Sequence, residues 1–373
     1  MKITPKITPI YQTSVFKFDD LNELEQYFGE PGSRYMYSRN GNPNSDELAA
    51  AVNKLEGGVG AIATGSGMAA IFAAILAYCQ AGDHVLCAAD IYGGSSSLLN
   101  AELSRMGITV TYVPFEQLYT LDEFVQPTTR LLLAETISNP LLRVADLQSL
   151  ATECHRHGLK LVVDNTFASP IITRPLELGA DITLHSVTKY IAGHSDVTAG
   201  VVVTNDAETA NRLKQIGMFY GLTLSPMESW LAVRGLKTLR LRMREHSANA
   251  LAIANFLATH PKVRQVNYPG LDAHPQHALA REQGAGQFGG MMSFLLADEA
   301  EAVNELMHRT KRFPFAPSLA GVDSSLSYPL GTSHRYLTTE QQQELGITVG
   351  LVRLSVGIEP LEELLADLAQ ALD

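Results

Sequence analysis

The sequence predicts an α/β fold, with a large domain on a mostly parallel sheet and a smaller α+β domain at the C-terminus. Two observations carry this. From about Ser45, short apolar runs of strand length alternate with helix-like stretches, which is the pattern of βαβ units. Around Ser225 the alternation stops, and a long helical stretch leads into segments with a two-residue period and a final helix.

Taken in order, residues 1–41 are rich in Pro, Tyr and Asn and only weakly periodic, which predicts an extended N-terminal arm. Residues 42–238 predict the sheet domain. DELAAAVNKLEGG reads as a helix closed by Gly57. GAIAT is a short apolar strand, GMAAIFAAILAYCQAGD a helix and HVLCAAD the next strand. SLLNAELSRMG predicts a helix and ITVTYVPF a strand, and RLLLAET, LQSLATECHRHG, LKLVVDN and DITLHS continue the alternation. Residues 239–373 predict the α+β domain. The stretch SPMESWLAVRGLKTLRLRMREHSANALAIANFLATH is mostly helical and links the two, GGMMSFLLA and GLVRLSVGI alternate, and EELLADLAQAL closes the chain.

Composition narrows the function. With 46% hydrophobic and 18% charged residues over 373 positions, the chain has material for a large core and no signature of disorder. Net charge is −11 with no basic run, which argues against nucleic acid or an anionic membrane as partner. Cys79, Cys87 and Cys154 form no CxxC pair, and MKITPKITPIYQTSV lacks the apolar segment of a signal peptide. A reducing cytoplasm is the expected location. The longest strongly apolar run, Met68 to Tyr78, is too short to span a bilayer.

In open parallel sheets, ligands bind beyond the carboxyl ends of the strands. The residues that follow the strands are Gly65-Ser66-Gly67-Met68, Ile91-Tyr92, Ser138-Asn139-Pro140, Asp164, and Ser186-Val187-Thr188-Lys189. The glycine turn offers backbone N–H groups at a helix start, which suits a phosphate, although a plain strand–helix turn would look the same. GSGMAA with Asp90 downstream also fits a dinucleotide fingerprint, and so an NAD-dependent dehydrogenase. Asp164 and Lys189 favour pyridoxal 5'-phosphate: a carboxylate keeps the ring nitrogen protonated, and a lysine forms the imine. The bland alternatives are a capping Asp164 and a solvated Lys189.

The run DNTFASPIITRPLELGADITLHSVTKYIAGHSD resembles the signature of the Cys/Met-metabolism (trans-sulfuration) pyridoxal-phosphate family. YSRNGNP, LEGG, SGMAAI, YGG, ETISNPLLRVAD and LVRLSVGIE resemble its other blocks in the same order, from about Tyr11 to the C-terminus. The resemblance implies a fold-type-I pyridoxal-phosphate transferase acting on a sulfur amino acid. It implies Lys189 as the Schiff-base lysine and proton shuttle, Asp164 at the pyridine nitrogen, and Tyr92 stacked on the ring and active in proton transfer. Gly67, Met68, Ser186 and Thr188 match phosphate-cup positions. Tyr37 and Arg39 match a pair that reaches the phosphate of a neighbouring subunit, which implies a homotetramer with shared sites. Asn139, Ser318 and Arg353 match groups that hold the cofactor hydroxyl and the substrate carboxylate.

The reaction within the family is left open between β- or γ-elimination and γ-replacement of the cystathionine γ-synthase or homoserine-ester sulfhydrylase type. Gly94 stands where methionine γ-lyases typically carry cysteine. PSLAG replaces the block ESLGG, so Pro317 offers no carboxylate to a distal substrate ammonium. His155 and His157 lie two apart on a predicted helix and share no face, which argues against a metal site there.

Overall fold

A computed structural model of the chain describes residues 4–30, 32–297, 300–335 and 338–373. The arm contains a helix, α1 (Leu21–Gly29), where composition predicts only extended chain. Asp20 accepts the Glu23 N–H at 2.9 Å, and Glu23 accepts the Asp19 N–H at 2.9 Å. This reciprocal capping is a local signal that a search for apolar periodicity passes over. No residue of α1 is buried.

The large domain follows the predicted alternation through α2 (Pro43–Glu56), β1 (Gly60–Thr64), α3 (Gly67–Tyr78), β2 (His84–Ala88), α4 (Gly93–Ser97), β3 (Thr109–Val113) and β4 (Thr129–Glu135). It continues with α5 (Leu147–Arg156), β5 (Lys160–Asp164), α6 (Ser169–Ile172), β6 (Ile182–Ser186), β7 (Gly200–Thr204) and α7 (Ala207–Phe219). The predicted helix SLLNAELSRMG starts earlier, at Gly93, and is irregular. It passes through a π turn (Leu98–Leu103) and a 3-10 turn before Gly107 ends it at φ 78°.

The seven strands lie in the order β1-β7-β6-β5-β4-β2-β3. All neighbours from β6 to β3 are parallel, and β7 runs antiparallel to both β6 and β1. The first strand is therefore an edge strand with one antiparallel partner. A dinucleotide fingerprint needs its strand at the centre of a parallel sheet, so the topology removes the dehydrogenase reading of GSGMAA.

Alternate residues of the central strands feed two cores. Leu86, Leu132, Leu161 and Val163 face one layer with α2 and α5, while Val85, Leu131, Leu133 and Val162 face the other with α3. The third helix is apolar on all sides because it is buried between the sheet and α7.

The long helical stretch of the sequence is two helices, α8 (Pro226–Leu236) and α9 (Leu239–Ala258). The smaller unit adds β8 (Gln265–Asn267), α10 (His277–Gln283), β9 (Met291–Leu295), α11 (Ala300–Arg309), β10 (Ser325–Ser327), α12 (Thr339–Glu344), β11 (Leu351–Ser355) and α13 (Leu361–Leu372). Its sheet, ordered β10-β11-β9-β8, is antiparallel throughout and packs on α9, α11 and α13. No helix among the described residues is long and apolar enough to cross a membrane.

Candidate active site

The strand ends converge on one cavity of about 470 Å³. At its base, β1 turns into α3. Ser66 caps the helix by accepting the Ala69 N–H at 3.1 Å, and Gly67 opens its first turn. A Cβ on Gly67 would lie 2.8 Å from Cβ and 2.9 Å from Oγ of Ser186, so only glycine lets this helix start approach the end of β6. The result is a cradle of helix N–H groups beside the Ser186 and Thr188 side chains, which suits a phosphate. The Thr188 hydroxyl already donates to the Ala199 carbonyl at 3.2 Å and accepts the Ala199 N–H at 3.0 Å.

The fifth strand delivers Asp164 to the cavity. Its Oδ1 accepts the Thr166 N–H at 2.9 Å, and the Thr166 hydroxyl accepts the Ser186 N–H at 2.8 Å, tying the ends of β5 and β6 together. Burial pushes the Asp164 pKa up, against the Thr166 hydrogen bonds and the charge of His185. Beside it in register on β4 stands Glu135, whose pKa is pushed well up by burial first and then by the charge of Asp164. Glu135 Oε1 accepts the Tyr92 N–H at 2.9 Å and so fixes the half-exposed Tyr92 at the cavity wall.

Lys189 sits in the turn after β6. Burial, then the charge of Arg353, lowers its pKa from 10.5 to about 8. A useful fraction of the amine is then neutral near physiological pH, as a nucleophilic lysine requires. Arg242, buried on α9, secures this turn by donating to the carbonyls of Tyr190 at 2.6 Å and Ile191 at 3.2 Å. Gly193, with φ 76°, leaves room for its guanidinium.

From the smaller unit, β11 brings Arg353, which is 4% exposed. Its Nη1 donates to Asn139 Oδ1 at 3.0 Å and its Nη2 to the Ser318 carbonyl at 3.4 Å, while its buried Nε has no partner among the described residues. An unpaired buried donor on a fixed guanidinium suits a carboxylate ligand.

Gly67, Met68, Tyr92, Asn139, Asp164, Ser186, Thr188, Lys189 and Arg353 all line the cavity. Ser318 does not, and meets Arg353 through its carbonyl alone. Tyr37 and Arg39 are exposed and outside the lining. Arg39 stacks 5.7 Å from the Tyr37 ring centre and donates to the Met218 carbonyl at 3.4 Å. Sequence reading passed over Glu135, Arg242, Thr332 and Ser333. Glu135 was open to discovery because it ends a strand as Asp164 does.

His157 does meet acids: its ring and the carboxylates of Asp122 and Glu153 have ligand atoms within 4.8 Å of one another. The argument from His155 missed this because the partner of His157 is four residues back. Arg156 already bridges both carboxylates at 2.7 Å.

The family of Cys/Met metabolism PLP-dependent enzymes matches residues 2–373. The chain is 44% identical to the cystathionine beta-lyase of Lactococcus lactis subsp. cremoris, covering 98% of this chain and 93% of the relative. It is 42% identical to the L-methionine gamma-lyase of Fusobacterium nucleatum subsp. polymorphum, with the same coverage. The solved structure of cystathionine gamma synthase from Xanthomonas oryzae pv. oryzae, in complex with aminoacrylate and cysteine, superposes with a TM-score of 0.91 at 42% identity, over 98% of this chain and 92% of that one.

Proposed function

The chain belongs to the Cys/Met-metabolism pyridoxal-phosphate-dependent enzymes, and from that premise we propose that it is a carbon–sulfur lyase of the cystathionine-lyase type, acting by β- or γ-elimination. The observation that carries the reading is one cavity holding a lysine driven toward neutrality, a buried carboxylate, a glycine-built helix start and an arginine with a free buried donor.

Bound pyridoxal phosphate supplies an electron sink for charge left on Cα when the α-proton departs. The protein's own residues do the rest. The Lys189 amine would hold the cofactor and move the α-proton. Asp164 holds a proton at the pyridine nitrogen. Gly67, Met68, Ser186 and Thr188 hold the phosphate, and Tyr92 covers the ring and assists proton movement. Arg353 grips the substrate carboxylate with Asn139 beside it, and Ser318 holds the guanidinium through its carbonyl. Tyr37 and Arg39, which do not line their own cavity, complete a neighbour's site in a homotetramer. The working location is the cytoplasm. An arm (1–41), a cofactor domain (42–238) and a C-terminal domain (239–373) are the units of this reading.

A second reading, γ-replacement, is supported by the likeness to a cystathionine gamma synthase. Pro317 lines the cavity and brings no carboxylate, which weighs against recognition of a distal ammonium in both readings, cystathionine included. Product analysis with cystathionine, methionine, homocysteine and activated homoserine esters, with and without thiol, separates the readings. Keto acid, ammonia and thiol without added thiol acceptor mark the lyase, and a thioether formed only with thiol marks replacement. No turnover of any of these by cofactor-loaded protein would overturn both.

A further inference from the structure

Lys189 is followed at once by Tyr190, whose buried ring lies in the core and does not line the cavity. The Tyr190 hydroxyl accepts the Gly290 N–H at 2.9 Å. Gly290 leads into β9, and its carbonyl accepts the Val356 N–H at 2.8 Å, just past the end of β11. In the same ladder, Ser293 of β9 stands in register with Arg353 of β11. A second tie starts further along the turn, at Gly193. Its carbonyl accepts the Val322 N–H at 2.8 Å, and the Val322 carbonyl accepts the Ile358 N–H at 2.9 Å. The turn that carries the amine is thus tied twice to the chain around the strand that carries the guanidinium. His246 of α9 reinforces the first tie. Its ring packs edge-on against Tyr190 with centres 5.1 Å apart, and its Nδ1 lies 2.7 Å from the Val356 carbonyl oxygen. A carbonyl only accepts, so Nδ1 carries a proton and donates. A Cβ on Gly290 would lie 2.7 Å from the Val356 carbonyl oxygen and 3.1 Å from the Tyr190 hydroxyl, so the junction is built around a glycine.

We infer that Tyr190 is a positioning residue: through Gly290, its hydroxyl sets the separation between the Lys189 amine, which moves the α-proton, and Arg353, which grips the substrate carboxylate. This rests on the functional reading above. A lysine amine sits on a long flexible stem, so its placement depends on how firmly the backbone beneath it is held. The base comes from one unit and the carboxylate grip from the other, and their spacing must be kept closely. A misplacement of about 1 Å can cost about 100-fold in rate. Of the two ties, the one at Gly193 runs backbone to backbone and is nearly indifferent to residue type. The tie at Tyr190 alone uses a side chain of the turn, so there the identity of the residue decides.

The test compares the holoenzymes of wild type, Tyr190→Phe and Tyr268→Phe, on a substrate that the wild type turns over. Tyr268 is the control. Its phenol is as deeply buried and donates to the Gly289 carbonyl at 2.9 Å and the Ser247 carbonyl at 3.3 Å, and neither partner is in the Lys189 turn. Each variant leaves a buried backbone group without its phenol partner, so both should lose stability. Tyr190→Phe should still hold cofactor on Lys189, with KM little changed. Its kcat should fall roughly 10- to 100-fold, and deuterium exchange at the substrate Cα in heavy water should slow with it. Tyr268→Phe should keep the kcat of wild type. Wild-type kcat and exchange in folded, loaded Tyr190→Phe would overturn the inference, and so would an equal fall in Tyr268→Phe, because general loosening would then explain both. Should Tyr190→Phe fail to fold, Arg242→Lys loosens the same turn by giving up the planar fork that reaches the Tyr190 and Ile191 carbonyls. The same losses are expected there, and wild-type values would again overturn the inference. Wild type that takes up no cofactor, or takes it up on another lysine, refutes the functional reading instead and is told apart at the loading step.

Discussion

Replacing Lys189 by methionine should make the cofactor-free protein more stable while abolishing its chemistry. Methionine keeps an unbranched chain of similar reach but removes an ammonium that the fold disfavours. The gap between 10.5 and about 8 in the Lys189 pKa, at about 1.36 kcal/mol per pH unit, amounts to roughly 3 kcal/mol. The sign follows from proton linkage. Below about pH 8 the lysine is protonated in both folded and unfolded chains, so the whole cost is present. Between about pH 8 and 10.5 the folded chain has lost its proton and the unfolded one has not, so wild-type stability recovers as pH rises. Urea denaturation of cofactor-free wild type and Lys189→Met, at pH 7 and again near pH 10.5, measures this. The variant should lead by about 3 kcal/mol at pH 7 and lose most of that lead at the higher pH. Equal stability at pH 7, or a lead of the same size at both, would refute the argument that burial tunes this amine.

Three further outcomes are expected. Asp164→Ala should fold and retain cofactor on Lys189 but turn over far more slowly, and near-wild-type turnover would remove Asp164 from the ring nitrogen. In Gly67→Ala the new Cβ would sit 2.8 Å from Ser186 Cβ. Overpacking of about 1–3 kcal/mol should then raise the cofactor dissociation constant roughly 5- to 140-fold at about 1.4 kcal/mol per decade, and unchanged binding by equilibrium dialysis would count against the phosphate cradle. Mixing inactive Arg39→Ala with inactive Lys189→Ala under subunit exchange should restore part of the activity, because one hybrid site carries both lesions and the other neither. No recovery despite exchange would return Arg39 to its own subunit.

Most of the cavity was legible before any fold was known. Lys189, Asp164 and Tyr92 each follow an apolar run, and a parallel sheet sends the residues after its strands to one edge whatever the order of the strands. Ser318 was legible as a position but not as a contact, because only its carbonyl reaches Arg353, and backbone orientation leaves no mark on residue type. The helix α1 was missed because its cue is local capping, with Asp20 accepting the Glu23 N–H and Glu23 accepting the Asp19 N–H, and not a buried stripe.

By itself the sequence determined most of the strands and helices and which residues follow the strand ends. These are local properties, set by periodicity, capping and turn geometry within a few residues. The tertiary structure alone decided that β1 is an antiparallel edge strand, which distinguishes the glycine turn from a dinucleotide site. It alone brought Arg353 to Asn139 across 214 positions and Glu56 to His185 across 129. Such pairings depend on strand order and on burial against distant elements, since a buried charge is tolerated only where the folded chain delivers its partner.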